Sequence, residues 1–199
     1  MFLPLAMLAT LLPAGAQGKI PSWIWSKASG GDGEEVYFRK VFTAQAGDKL
    51  RLAATCDNEM TVFLNGKKDA DSKWWEDPVS EDISAALVAG ENVIAVKAVN
   101  EGAGAAGLLA KLVIERGKDK QEIVSDASWS FSSDKQKDWI TLKPSKADTW
   151  KESVVVTEAG KGPWARAIKA NTLDNIPELK KPEATPVASM KVKDGFKVE

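Results

Sequence analysis

The sequence predicts an all-β fold, an antiparallel β-sandwich, and three observations carry that prediction. From Val36 onward the chain runs in short segments that alternate apolar and polar residues. Gly, Asn and Asp separate these segments at the spacing of an antiparallel domain. No long stretch repeats at the helical period. With 199 residues, 44% apolar and 28% charged, the chain is large enough to bury one sandwich-sized core and still carry a tail.

The elements follow in order. Leu50, Leu52, Ala54 and Cys56 share one side of a strand, the core side, while Arg51, Ala53 and Thr55 take the other. Asp57 and Asn58 turn the chain into a second strand, Met60 to Leu64, which ends at Asn65-Gly66. That dipeptide tolerates the positive φ angles of a tight hairpin. Asp82 to Leu87 is expected to make a helical turn. Asn92 to Asn100 (NVIAVKAVN) is β-branched and nearly all apolar, which suits a strand covered on both faces in the middle of a sheet. Leu108 to Glu115 follows a Gly-rich loop, and the two are expected to form a hairpin at the centre of the core. Trp129 and Phe131 alternate with serines and supply two large inward anchors to a late strand. A short helix is expected around Lys146 to Lys151.

The ends differ in composition from this body. Residues 2–16 are uncharged and finish in Ala14-Gly15-Ala16, a small-x-small pattern, so residues 1–16 read as a secretory signal peptide and the chain as secreted or periplasmic. A positive n-region is missing, which places either a natural start upstream or a weakly charged signal at Met1. The alternative is an anchoring helix. A membrane span takes roughly 20 residues, and Pro4 and Pro13 interrupt this shorter stretch. The folded domain is expected over 17–170. From 171 to 199 a Pro-rich linker leads to MKVKDGFKVE, which has the alternation of a first strand of a further C-terminal module.

Charge and composition exclude several functions. Lys and Arg number 27 against 28 Asp and Glu, so there is no basic field to draw nucleic acid. The chain has no His, which removes the usual neutral-pH base, the commonest zinc ligand and every Ser-His-Asp or Cys-His arrangement. Cys56 is expected to be a buried free thiol behaving as a small hydrophobe. Asp69-Ala70-Asp71 lacks the glycine and distal glutamate of a calcium loop. The adjacent acidic pairs Glu34-Glu35, Glu76-Asp77 and Glu81-Asp82 point to opposite sides in extended chain, so they assemble no glycosidase cleft. No enzymatic activity and no cofactor is expected.

Five motifs in order, WIW at 23–25, VYFRKVF at 36–42, DNEMTVFLNG at 57–66, GENVIAVKAVNEG at 90–102 and AGLLAKL at 106–112, resemble the galactose-binding-like jelly-roll domain. Domains of that family stand beside the catalytic modules of family 2 and family 78 glycoside hydrolases, and GPW at 162–164 also recurs at their ends. The resemblance covers roughly Ile20 to Ala167. The tail is similar, over a shorter span, to the junction before a haem-linked β-propeller module in large secreted proteins of planctomycete type. The family implies loops at one end of the sandwich as the place for ligand. Sugar recognition needs an exposed aromatic ring with polar groups beside it. Trp74 and Trp75 are the candidates for the ring, since adjacent residues of a strand cannot both face the core. Arg39, Asn100 and Glu101 are the candidates for the polar groups. Trp23, Trp25, Trp129, Trp139, Trp150 and Trp164 are expected to be packing residues or edge covers. Two readings stay open: a non-catalytic carbohydrate-binding module tethering an attached module to polysaccharide, or a spacer that docks an attached C-terminal module and binds no sugar.

Overall fold

A computed structural model describes residues 18–142 and 149–174. The expected signal peptide, the strand-like 190–199 and residues 146–148 of the expected helix at 146–151 lie outside these residues; Lys151 itself is in a strand. Among the described residues no helix is long and apolar enough to cross a membrane.

The strands are β1 (Ser22–Trp25), β2 (Glu34–Ala44), β3 (Lys49–Asp57), β4 (Glu59–Leu64), β5 (Lys67–Ser72) and β6 (Val79–Asp82). They continue with β7 (Gly90–Asn100), β8 (Gly107–Arg116), β9 (Asp119–Val124), β10 (Ser130–Ser132), β11 (Lys151–Glu152) and β12 (Val154–Glu158). One sheet has the order β12-β1-β8-β3-β6, with β9 also paired to β8; the other runs β11-β10-β2-β7-β4-β5. Every pairing is antiparallel. The all-β antiparallel sandwich is therefore the fold of the chain.

Between the sheets lies the core that the alternation marks. Leu50, Leu52, Ala54 and Cys56 meet Ile94, Val96 and Ala98 from the facing sheet, and Trp129 and Phe131 close one side. Cys56 is a buried free thiol, and burial pushes its pKa well above the ordinary value. Asn65 and Gly66 take φ of 51° and 88°, and the hairpin β4–β5 forms on them. The 3-10 turn Ser84–Ala86 occupies the expected helical turn.

The expected central hairpin does not form. β7 pairs with β2 and β4, whereas β8 pairs with β1, β3 and β9 in the opposite sheet. The Gly-rich loop after Asn100 crosses the sandwich rather than reversing within a sheet. Both strands are buried on both faces, so their apolar character says nothing about which sheet each belongs to.

The outer face of β3 is also covered. Ala53 packs with Leu109, Trp23, Trp164, Ile168 and Leu173 in a second apolar cluster, and Thr55 is fully buried. The segment after β12 supplies this cover through the turn Gly162–Trp164. Packing continues past residue 170: Leu173 is buried, and Asp174 bonds the Lys111 ammonium at 2.5 Å.

Candidate functional site

Three junctions meet at one end of the sandwich: the β3–β4 turn at Asn58, the β5–β6 loop over 73–78, and the start of the β7–β8 loop at Glu101. Antiparallel order brings them together, because β3, β5 and β7 all finish at that end. They enclose a cavity of about 310 Å³ lined by Asn58, Glu59, Lys73, Trp74, Trp75, Glu76 and Glu101.

Trp74 and Trp75 divide, one ring out and one half in, but at a turn beyond β5 rather than by the alternation of a strand. Trp74 is 75% exposed, while Trp75 is half-buried against the Trp23–Trp164 cluster. The loop that carries them is held at several points. Thr55 Oγ1 donates to the Trp75 carbonyl at 2.8 Å, and Ser72 Oγ both accepts from Trp74 N and donates to its carbonyl, each at 3.3 Å. Asp77 N closes the turn on the Trp74 carbonyl at 3.3 Å. Trp74 thus stands on a fixed backbone with its ring in solvent.

The polar wall is acidic with one cation. Lys73 Nζ lies 3.0 Å from Glu59 Oε1, and that carboxylate, with Glu101 and Asp71 farther off, holds the ammonium above its usual pKa. Asn58 Oδ1 accepts from the Glu101 backbone N–H at 2.6 Å, and Asn58 N donates to the Val99 carbonyl at 2.8 Å. Asn58 thereby ties the β3–β4 turn to the loop that bears Glu101. Just before it, Asp57 Oδ2 accepts from Trp164 Nε1 at 2.8 Å. Burial raises the Asp57 pKa, with the indole bond opposing the rise.

Of the five candidates, Trp74, Trp75 and Glu101 line this cavity. Asn100 sits next to Glu101 but is buried, donating through Nδ2 to the carbonyls of Gly31 at 2.8 Å and Gly102 at 2.5 Å. It fixes the loop and does not face the cavity. Gly30 is required there for room: a Cβ on it would sit 2.4 Å from the Ala106 Cβ and 2.7 Å from Asn100 Nδ2. The expectation that Arg39 stands beside the aromatic platform is corrected. Arg39 pairs with Ala95, five residues along β7 from Asn100, a separation of about 17 Å at strand rise. It faces outward from β2, is buried, and donates to the Thr141 and Leu142 carbonyls with its guanidinium 5.1 Å from the Trp150 ring.

Asn58, Glu59 and Lys73 are cavity residues that reading the sequence missed. Asp57-Asn58 reads as a turn, and only the meeting of three distant junctions turns that position into a wall. Among the described residues no group of three or more acidic, His or Cys side chains is placed to hold a metal ion.

No protein-family model matches the chain. It is similar to an alpha-L-rhamnosidase of Streptomyces avermitilis, at 30% identity over 158 residues; the match covers 73% of this chain and 15% of that enzyme. The crystal structure of the Streptomyces avermitilis alpha-L-rhamnosidase complexed with L-rhamnose aligns over 75% of this chain and 16% of its own, with a TM-score of 0.68 and 26% identity. A GH78 family rhamnosidase of Bacillus sp. GL1 aligns over 74% of this chain and 19% of its own, at TM-score 0.61 and 24% identity. The lectin of Pleurotus ostreatus in complex with GalNAc aligns over 73% of this chain and 45% of its own, at TM-score 0.64 and 19% identity. The last two share the sandwich fold. The chain spans less than a fifth of either rhamnosidase.

Proposed function

We propose that the chain is an exported, non-catalytic carbohydrate-binding domain that tethers an attached module to polysaccharide. Its site is the cavity under Trp74. The observation that carries this reading is an indole 75% exposed on a pinned loop, beside a wall of Asn58, Glu59, Lys73 and Glu101. An indole face suits the C–H face of a pyranose, and carboxylate, ammonium and amide groups at its edge suit the hydroxyls. Arg39 and Asn100, proposed with this site from the sequence, act instead by holding loops in place. The likeness to part of a rhamnosidase and to a GalNAc-bound lectin supports saccharide as the ligand class. That the match spans 15% of the rhamnosidase supports an accessory role beside a larger module.

The test is a glycan-array screen of the purified chain, with L-rhamnosides and N-acetylgalactosaminides included, followed by titration of each hit. Trp74→Ala is expected to cut affinity at least tenfold and to leave stability within about 0.5 kcal/mol, as for an exposed side chain. Trp75→Ala, by contrast, is expected to lose about 2 kcal/mol of stability through its contact with the outer cluster. Silence on every glycan, or affinity indifferent to Trp74→Ala, would favour the docking role instead.

A further inference from the structure

A second cavity, of about 470 Å³, lies on the outer face of the sheet, over β2, β7 and β4. Strand alternation places Tyr37, Lys97, Thr61 and Phe63 outward there, while Phe38, Val96 and Val62 point into the core. The segment 133–142 arches over this face. Its Trp139 meets Tyr37 edge-on at 5.0 Å and 71°, and Phe63 at 5.4 Å and 78°. Thr141 closes a turn by donating to the Asp138 carbonyl from N at 3.0 Å and from Oγ1 at 2.8 Å. Arg39 clamps the end of the arch through the Thr141 and Leu142 carbonyls. The cavity is therefore walled before any ligand arrives.

Its chemistry is mixed and carries a positive balance. Phe63 and Ile140 are apolar and half-buried, while Thr61, Gln136 and Thr141 offer hydroxyl and amide groups. Lys97, Lys135 and Lys137 stand against Asp138, and against Glu35 at the margin. Glu35 already accepts from Lys97 at 2.5 Å and from the Tyr37 hydroxyl at 2.7 Å. The three strands beneath are hydrogen-bonded on both sides, so no sheet edge is open for a peptide backbone to pair with. An occupant that places polar groups around an apolar ring suits this lining better than a peptide does. Glu59 lines the Trp74 cavity and Thr61 lines this one, and they are successive outward residues of β4, about 7 Å apart.

We propose that this sheet face is a second saccharide site that takes an acidic sugar unit, carboxylated or sulfated, of an oligosaccharide. The choice of a saccharide rests on the reading of the Trp74 cavity; the place and the charge preference rest on this cavity alone.

The experiment is calorimetric titration of the chain with tetragalacturonate, its methyl ester, a sulfated galactan tetrasaccharide and tetraglutamate. Lys135→Glu, Phe63→Ala and Trp74→Ala are titrated alongside, with melting curves for each. At least one acidic tetrasaccharide is expected to bind, ten times more tightly than the neutral ester. Lys135→Glu, on an exposed side chain, is expected to weaken it at least tenfold with no change in melting temperature, and Phe63→Ala to weaken it similarly. Which acidic probe binds identifies the anion. Binding lost in Lys135→Glu and kept in Trp74→Ala would uphold this site as separate from the loop site, whose own reading stands or falls on the glycan screen and the Trp74→Ala titration of its hits. Three results would overturn the proposal: no acidic tetrasaccharide binds, its affinity is unchanged in both Lys135→Glu and Phe63→Ala, or tetraglutamate binds equally well.

Discussion

Trp164 lies flat against Trp23, ring centroids 4.1 Å apart and planes within 21°, on the outer face of the β1-β8-β3 sheet. The two are at opposite ends of the domain's sequence, and both are fully buried. The stack does more than fill space. Trp164 Nε1 also donates to Asp57 at 2.8 Å, one residue before the Asn58 that lines the Trp74 cavity. A residue far along the chain thus braces the turn on which the candidate site is built.

Replacing that indole separates its two roles. Trp164→Phe keeps an aromatic ring in the stack but removes the donor to Asp57, leaving a half-buried carboxylate short of a partner. We expect a loss of about 1–3 kcal/mol at pH 7. Burial raises the Asp57 pKa, so the folded state already prefers the protonated form more than the unfolded chain does. The loss should therefore shrink at pH 3, where Asp57 is protonated in both states. Urea unfolding at the two pH values checks this; an equal loss at both would show that packing, not the hydrogen bond, dominates.

Asp48 sets part of the acid limit of the fold. Arg116 grips it twice, Nε to Oδ1 and Nη2 to Oδ2, each at 2.8 Å, and Gln45 N donates to it at 2.7 Å. The Arg116 bonds first, then the Gln45 N–H, hold its pKa down to about 2 against an ordinary value of 3.8. A carboxyl depressed on folding stabilises in full above its unfolded pKa, and that contribution is lost as pH falls toward the folded pKa. Asp48→Asn should therefore lower stability at pH 6 and flatten its decline between pH 4 and 2. Unfolding free energies measured across pH 2–6 test it, and an unaltered slope below pH 4 would rule Asp48 out as a contributor.

Lys111 fastens the far end of the described chain to the sandwich. Its side chain is 2% exposed, yet its ammonium meets Asp174 at 2.5 Å and Glu122 at 2.9 Å. Burial lowers its pKa, and the bonds to Asp174 and Glu122 outweigh that effect, so the group remains a cation. Lys111→Ala leaves two carboxylates facing each other without their cation. Both are partly exposed, so we expect about 1–3 kcal/mol of lost stability, less than for a fully buried pair. Limited proteolysis should then cut near residues 169–174 faster than in the parent chain. Unchanged cleavage there would mean that the apolar packing of Ile168 and Leu173 holds the segment without the ion pairs.

Much of the sandwich is legible in the sequence. The alternation through Leu50–Cys56, the Asn65-Gly66 turn and the Trp129 and Phe131 anchors all appear in the structure where the pattern places them. The unequal exposure of Trp74 and Trp75 is as expected, but a turn rather than strand alternation separates the two rings. Two expectations failed for a shared reason. The hairpin between β7 and β8, and Arg39 beside the platform, both depend on which strand lies next to which. A residue's own strand records its side of the sheet but not its neighbour across the sheet or along the sandwich.

The sequence by itself determined the fold class, the inward face of most strands and the absence of histidine chemistry, because period-2 burial and residue type are local properties. Tertiary structure alone decided that Asn58, Glu59, Lys73 and Glu101 share a wall, that Trp164 covers Trp23, and that Arg39 clamps the arch over the outer sheet. These meetings join residues distant along the chain. Antiparallel pairing, the crossing of the Gly-rich loop between sheets and the return of the 159–174 segment bring them together, and no local pattern records where such segments come to rest.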